Sequence, residues 1–202
     1  NPERPTNEDS YGYTTRQVEA HAAPEMLIRA CVSDGMGGMS AGEVASRAAV
    51  QAFLNSPKTT LPDMVWDANA AVVAAMDGKD GGCTISAVEI RGAHLQLGHV
   101  GDTRAYHRTG GQVTQLSKDH SYVAAMVASG QMTPDEAQHS PDRNKVLRSL
   151  GSLRVPQDNY VQTLDAPLEL KVGDRILLVS DGVLDLWGGS LEGLEDAISQ
   201  CT

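Results

Sequence analysis

Three widely separated stretches of this chain place acidic side chains at turns, with neither His nor Cys beside them. Val32-Ser33-Asp34-Gly35 and Val179-Ser180-Asp181-Gly182 are two copies of nearly the same arrangement, each closing an apolar run suited to a buried strand. Asn7-Glu8-Asp9 is the third. Carboxylates without thiolate or imidazole partners make an oxygen-only donor set, the set that suits a hard divalent cation. Arg4 stands just ahead of the acidic pair, and a guanidinium fork matches two phosphate oxygens. Together these residues point to metal-assisted hydrolysis of a phosphate ester.

A phosphomonoester dianion repels an incoming nucleophile, so catalysis must neutralise charge and activate water. Two divalent ions roughly 3.5 to 4 Å apart and sharing a carboxylate do both. Asp34 is the expected bridge, and Gly35 after it leaves a backbone carbonyl open to the second ion. Asp181 completes the first ion's ligands, Glu8 and Asp9 hold metal directly or through waters, and Arg4 grips the phosphate. Each assignment has a plainer rival. Asp-Gly after a strand is ordinarily a turn, and it is the doubling together with Asn7-Glu8-Asp9 that argues for a site. Asp102, in Gly101-Asp102-Thr103-Arg104, suits an Asx turn as well as it suits a metal. His99 fits a hydrogen-bonded core or edge residue, and His120 a cap for the helix that follows.

These residues need strands that end together. Residues 10 to 18 and 26 to 33 read as strands, the second running into Asp34. Ser40 with Glu43 forms a capping box ahead of a helix whose apolar face is Val44, Ala45, Ala48, Ala49, Ala52 and Phe53. Thr60, Pro62 and Asp63 open a second helix, with Met64 or Val65, Ala68, Val72 and Met76 as its buried stripe. Residues 83 to 90, 94 to 100, 103 to 108 and 112 to 116 predict an antiparallel meander broken at Arg91-Gly92, Gly101-Asp102 and Gly110-Gly111. From Asp119 to Gly151 the pattern changes to short helical pieces with little apolar material, a surface flap. Strands return at 158 to 164 and 174 to 180, and Ser190 opens a last helix carrying Leu191, Leu194 and Ile198. Two stacked sheets with helices outside account for this order. Apart from the doubled turn there is no internal repeat.

At 202 residues and 41% hydrophobic content the chain fits a single domain, 1 to 202. The formal net charge of -10 repels a polyanion, and no cluster of Lys and Arg offsets it, so no nucleic acid partner is expected. Cys31, Cys83 and Cys201 lack metal-ligand or redox spacing and read as reduced thiols of a cytoplasmic protein. No apolar run approaches the ~20 residues of a membrane span, so no membrane partner is expected. No signal-peptide pattern opens the chain. It begins at Asn1 without Met, which suggests a domain trimmed from something longer.

The residues in order resemble the metal-dependent protein phosphatases of type 2C, in their bacterial form. Arg4 to Asp9 resembles the family's opening motif, and Ser33-Asp34-Gly35-Met36-Gly37-Gly38 its metal-bridging turn. Gly82-Cys83-Thr84 is similar to its strand start, and Val100 to Tyr106 to its Gly-Asp-Ser-Arg segment. Leu116 to Ser121, Val146 to Gly151 and Leu178 to Asp185 continue the series. The resemblance implies an α+β fold, a four-layer αββα sandwich of mostly antiparallel sheets with a flap at about 120 to 150 that influences substrate choice. His139 is a candidate within that flap. It implies hydrolysis of phosphoserine and phosphothreonine in proteins with two Mn2+ or Mg2+ ions and no phosphoenzyme. A third, weaker ion falls to Asp102 with Asp181. The implied partners are phosphorylated proteins and a cognate Ser/Thr kinase, and a monomer is expected. Two departures stand out. Met36 replaces a His of eukaryotic relatives, so protonation of the leaving alkoxide falls to water. The family's first strand and its closing Asp-Asn strand have no counterpart between Asn1 and Thr202, which would weaken the first metal site. That absence motivates an alternative, a catalytically weak module that binds phosphoproteins; a small-molecule phosphatase is a third reading.

Overall fold

The computed structural model describes residues 7–20, 23–37 and 41–185. At its centre lie strands that read as unbroken apolar runs because both of their faces are covered. β5 (Ile85–Arg91) is the clearest case: Ala87 faces a helical layer while its neighbour Val88 faces a second sheet. β5 pairs with β2 (Glu25–Ser33) on one side and β6 (His94–Val100) on the other, and β2 pairs with β1 (Ser10–Val18) in a register from Ser10↔Ser33 to Val18↔Glu25. β6 also takes two short strands, β9 (Gln162–Thr163) and β10 (Leu168–Glu169), and completes a six-stranded sheet. A second sheet has the order β11 (Arg175–Val179), β7 (Arg104–Thr109), β8 (Gln112–Gln115). A two-residue ribbon joins β3 (Gly35–Met36) to β4 (Gly82–Cys83). All the described pairings are antiparallel.

Two helices cover the outer face of the large sheet. α1 (Ala41–Asn55) buries Ala45, Ala49, Val50 and Phe53, and α2 (Leu61–Met76) buries Met64, Val65, Ala68, Val72 and Met76. Thr60 caps α2, its hydroxyl accepting from the Asp63 N–H at 3.3 Å. The α1 face differs from the expected stripe. Val44 is 44% exposed, while Gly42 and Ser46 turn inward, because small residues are what lets the start of α1 lie against β3. On the opposite face of the sheet, Val88, Leu95 and Leu97 meet Ala105, with Ile176 and Leu178 beside them. Alternation along β7 then sends Tyr106 outward to Val113, Val179 and Val183, the last belonging to α5 (Asp181–Asp185). Helix, sheet, sheet and helix follow one another, the αββα order expected. Ser40 and the helix expected from Ser190 lie outside the described residues.

Two expectations need correction. The meander is not continuous: β5 and β6 belong to the large sheet, β7 and β8 to the small one. The chain changes sheet at Gly101-Asp102-Thr103. Gly101 has φ +111, and a Cβ there would lie 2.5 Å from the Thr84 side chain, so glycine alone allows the corner. Asp102 therefore sits where the two sheets part. The strand predicted over 158 to 164 pairs only at Gln162 and Thr163, because Tyr160 turns away to stack on Trp66 at 5.6 Å and to bond the Ser149 backbone.

Between these layers and the solvent, residues 120 to 150 form α3 (Tyr122–Ala128) and α4 (Pro134–His139), neither burying a residue. His139 is exposed and bonds back to the Asp135 carbonyl at 2.9 Å. Among the described residues no helix is long and apolar enough to cross a membrane. Cys31 and Cys83 are free and buried, and burial pushes both thiols up to about 12, which keeps them protonated.

Candidate metal centre

Asp34 leaves β2 and is stitched at once to the start of β5. Its carbonyl accepts from the Thr84 N–H at 2.9 Å, its own N–H donates to the Thr84 hydroxyl at 3.0 Å, and the Ser33 hydroxyl donates to the Thr84 carbonyl at 2.7 Å. The acidic amino-terminal stretch is fastened from two directions. The Glu8 carbonyl accepts from the Gly35 N–H at 3.2 Å and from the Ser46 hydroxyl at 2.6 Å. The Asp9 carboxylate accepts from the Ser180 hydroxyl at 2.7 Å, one residue before Asp181. Each Ser of the doubled turn thus reaches across to another segment, which explains why Ser precedes Asp in both copies.

Gly35 has a reason beyond the free carbonyl expected for it. A Cβ there would lie 2.1 Å from the Gly42 carbonyl oxygen and 2.7 Å from that of Glu8, and a Cβ on Gly42 would lie 2.9 Å from the Glu8 side chain. The first turn of α1 is pressed backbone to backbone on the acidic turn. Because the obstacle is main chain, Gly35→Ala must move α1. We expect it to lower unfolding free energy by about 2 to 3 kcal/mol, read from urea denaturation; an unchanged midpoint would contradict the packing.

The electrostatics identify the cluster. Burial, followed by the carboxylates of Asp181, Asp9 and Asp102, pushes Asp34 up to about 8. Burial, followed by Asp181 and Asp119, pushes Asp102 up to about 6, against the opposing pull of its own turn's backbone and of Arg104. Four carboxylates from four segments therefore crowd one place, and burial with this crowding penalises the ionised forms of Asp34 and Asp102. Among the described residues no three donors are already drawn together as a closed cation cage. With oxygen donors only, the residues present fit hard divalent ions.

Of the residues picked out from the sequence, Asp9, Asp34, Asp102 and Asp181 come together, with Gly35 beside them. Glu8 is adjacent, its carbonyl engaged by Gly35 and Ser46. Arg4 lies outside the described residues. His99 is fully buried, its Nδ1 2.9 Å from the Ser86 hydroxyl and its Nε2 3.2 Å from the Lys118 carbonyl, as a core histidine should be. Ser121, not His120, caps α3. His120 instead accepts from the Gly101 N–H at 3.2 Å and donates its own N–H to the Gly101 carbonyl at 2.7 Å, gripping the corner that carries Asp102. Burial pushes His99 down to about 4 and His120 to about 3, so both rings are neutral near pH 7.

Sequence reasoning missed five supporting residues: Thr84, Ser180, His120 in its gripping role, and the pair Arg104 and Asp119. The Arg104 guanidinium donates from Nε to both Asp119 oxygens at 3.0 Å and from Nη2 at 2.6 Å. The only signal for that pair was opposite charge in two otherwise strand-like or turn-like segments fifteen residues apart.

Similarity to known proteins agrees with this construction. The protein phosphatase 2C family pattern matches residues 6–198. The chain is 32% identical over 194 residues to the serine/threonine protein phosphatase PstP of Mycobacterium tuberculosis, covering 90% of this chain and 34% of PstP. It is 31% identical over 201 residues to the protein phosphatase PhpP of Streptococcus pneumoniae, covering 93% of this chain and 77% of that protein. A crystal structure of the PstP catalytic domain in complex with two manganese ions superposes with a TM-score of 0.71 at 28% identity, covering 95% of this chain and 84% of that one. The chain thus spans about a third of the length of PstP, and the family pattern over residues 6–198 includes every segment that contributes to the carboxylate cluster. This chain belongs to the protein phosphatase 2C family.

Proposed function

We propose that this chain hydrolyses phosphoserine and phosphothreonine in proteins, using Mn2+ or Mg2+ held by its carboxylate cluster. The observation that carries this reading is the convergence of Asp9, Asp34, Asp102 and Asp181 on one place, where burial and mutual repulsion push Asp34 up to about 8. The PstP structure with two manganese ions and the naming of both relatives as protein phosphatases support it. When bound, such ions neutralise the phosphoryl group and make a water molecule acidic enough to act as nucleophile near pH 7.

The chain's own residues divide the remaining work. Asp34 would be the carboxylate shared by the two ions, with the Gly35 carbonyl beside it. Asp181, Glu8 and Asp9 would complete the ligands, directly or through waters, and Asp102 with Asp181 would hold a third, weaker ion. Met36 follows Gly35, and among the described residues His99 and His120 are neutral and engaged in hydrogen bonds, so neither of these two imidazoles serves as the acid. Arg4 binds the substrate phosphate. Its guanidinium acts mainly on the ground state, so Arg4→Ala should raise KM about tenfold while lowering kcat less, in steady-state kinetics on a phosphothreonine peptide; an unchanged KM removes Arg4 from that role.

Residues 120 to 150 form the flap, where substrate choice is to be sought. A cognate Ser/Thr kinase, a cytoplasmic setting suited to the buried thiols of Cys31 and Cys83, and a monomeric state complete the proposal. The alternative of a catalytically weak phosphoprotein-binding module is not supported, since both relatives are named phosphatases. The deciding experiment is Mn2+-dependent release of phosphate from a phosphothreonine peptide, compared with sugar phosphates and nucleotides. Turnover of the small molecules with none of the peptide would replace a protein phosphatase by a small-molecule one.

A further inference from the structure

Thr84 occupies the single-residue gap between β4 and β5, is 1% exposed, and touches both acid-bearing turns. Toward Asp34 it acts through polar atoms: its N–H donates to the Asp34 carbonyl at 2.9 Å and its hydroxyl accepts from the Asp34 N–H at 3.0 Å. Toward Asp102 it acts through carbon. A Cβ on Gly101 would lie 2.5 Å from both Cβ and Cγ2 of Thr84, so the methyl side of the threonine rests against the Gly101 main chain. From elsewhere on Gly101, His120 accepts from its N–H at 3.2 Å and donates to its carbonyl at 2.7 Å, so the corner cannot retreat from Thr84. The Asp34 and Asp102 carboxylates repel each other. Something rigid must set how far apart they stand, and one side chain contacts both turns through chemically different atoms.

We propose that Thr84 is a positioning residue that sets the separation of the Asp34 and Asp102 carboxylates, its hydroxyl fixing one turn and its methyl group stopping the other. A β-branched hydroxyl residue suits this task because it combines a hydrogen-bonding oxygen with a methyl group on a stiff χ1. Valine keeps the stop and loses the hydroxyl. Serine keeps the hydroxyl and loses the methyl group, leaving only Cβ against Gly101. The two functions are therefore separable by substitution.

The test uses the 202-residue chain with Thr84→Ser and Thr84→Val. The first measurement is amide hydrogen exchange without added metal, which does not depend on the proposed function. Thr84→Val should speed exchange at Asp34 about tenfold and spare Gly101, whereas Thr84→Ser should speed Gly101 and spare Asp34. The second is calorimetric Mn2+ titration, which rests on the proposed metal sites. Thr84→Ser should weaken the weaker class of ions alone by about tenfold, and Thr84→Val the tighter class. Thr84→Ser removes one methyl group and carries the test by itself if Thr84→Val does not fold. The proposal is overturned if Thr84→Ser leaves Gly101 exchange unchanged, or if it weakens both classes equally. Failure of the wild-type chain to bind Mn2+ would instead overturn the proposed function, with the exchange result still deciding the role of Thr84.

Discussion

Asp34→Asn is expected to lower kcat for Mn2+-dependent hydrolysis of a phosphothreonine peptide by about a thousandfold or more. The amide keeps the shape of the side chain and its place between Thr84 and Gly35, but it removes the charge on which the bridging role depends. Asp102→Ala, by contrast, should lower the rate about tenfold, because that carboxylate, on the sheet-changing corner, is the one proposed for the weaker ion. Folding should respond in the opposite direction. Asp34 is penalised when ionised by its burial and then by its acidic neighbours, so without metal the Asn variant should melt above the wild type at pH 8. The pairing of lost turnover with raised apo stability distinguishes a charge site from a packing site. Asp34→Asn with wild-type turnover would remove Asp34 from the chemistry.

Stripped of divalent cations, the wild-type protein should lose stability as pH rises from about 4 to about 8. The folded state holds the Asp34 proton up to about 8, whereas the unfolded chain releases it near the ordinary carboxylate value of 3.8. A raised folded-state value gives stability that is complete below the unfolded pKa and is lost as pH climbs through the folded one. Across that window the loss is on the order of 5 kcal/mol, of which roughly 2 kcal/mol falls between pH 6.5 and 8. The buried histidines act with the opposite sign and in a different range. His99 and His120 stay neutral when folded, so the unfolded chain gains protons below about 6.5 and the fold weakens as pH falls. The decisive interval is therefore pH 6.5 to 8, where the carboxylates outweigh the residual protonation of these imidazoles in the unfolded chain. Thermal melts in EDTA should drop by about 3 °C over it. Saturating Mn2+ should remove the slope, and so should Asp34→Asn. A flat profile in EDTA would mean that the carboxylates do not crowd one another in solution.

Much of this site could be read before any fold was known, and particular residues show why. The Asp of a strand-exit turn advertises itself locally, since Val32 and Val179 mark the strands and Gly35 and Gly182 the turns. The central strands of the large sheet were legible for a similar reason: β2, β5 and β6 carry their boundaries in turn residues and in apolar runs. The α2 stripe was legible because its period is local. The Arg104 and Asp119 pair and the grip of His120 on Gly101 were not, because each depends on two segments meeting, and neither segment alone has an unusual composition. The division of the meander between two sheets was hidden too. Gly101 read as an ordinary turn glycine, and only the side chain of Thr84 against it makes the turn a change of sheet.

From the amino acids alone came the donor chemistry, the oxygen-only character of the site, three of the four segments that supply it and the layered architecture, with Asp102 balanced between a turn and a metal role. These follow from residue type and short-range periodicity, which the chain carries at every position. Tertiary structure alone decided that the four segments meet, that Ser180 ties Asp9 to the Asp181 turn, and that Gly35 is demanded by α1 as much as by any ligand. It also decided the strength of the electrostatic conflict at Asp34, because repulsion between carboxylates depends on distance and burial, and neither quantity exists until distant parts of the chain have packed together.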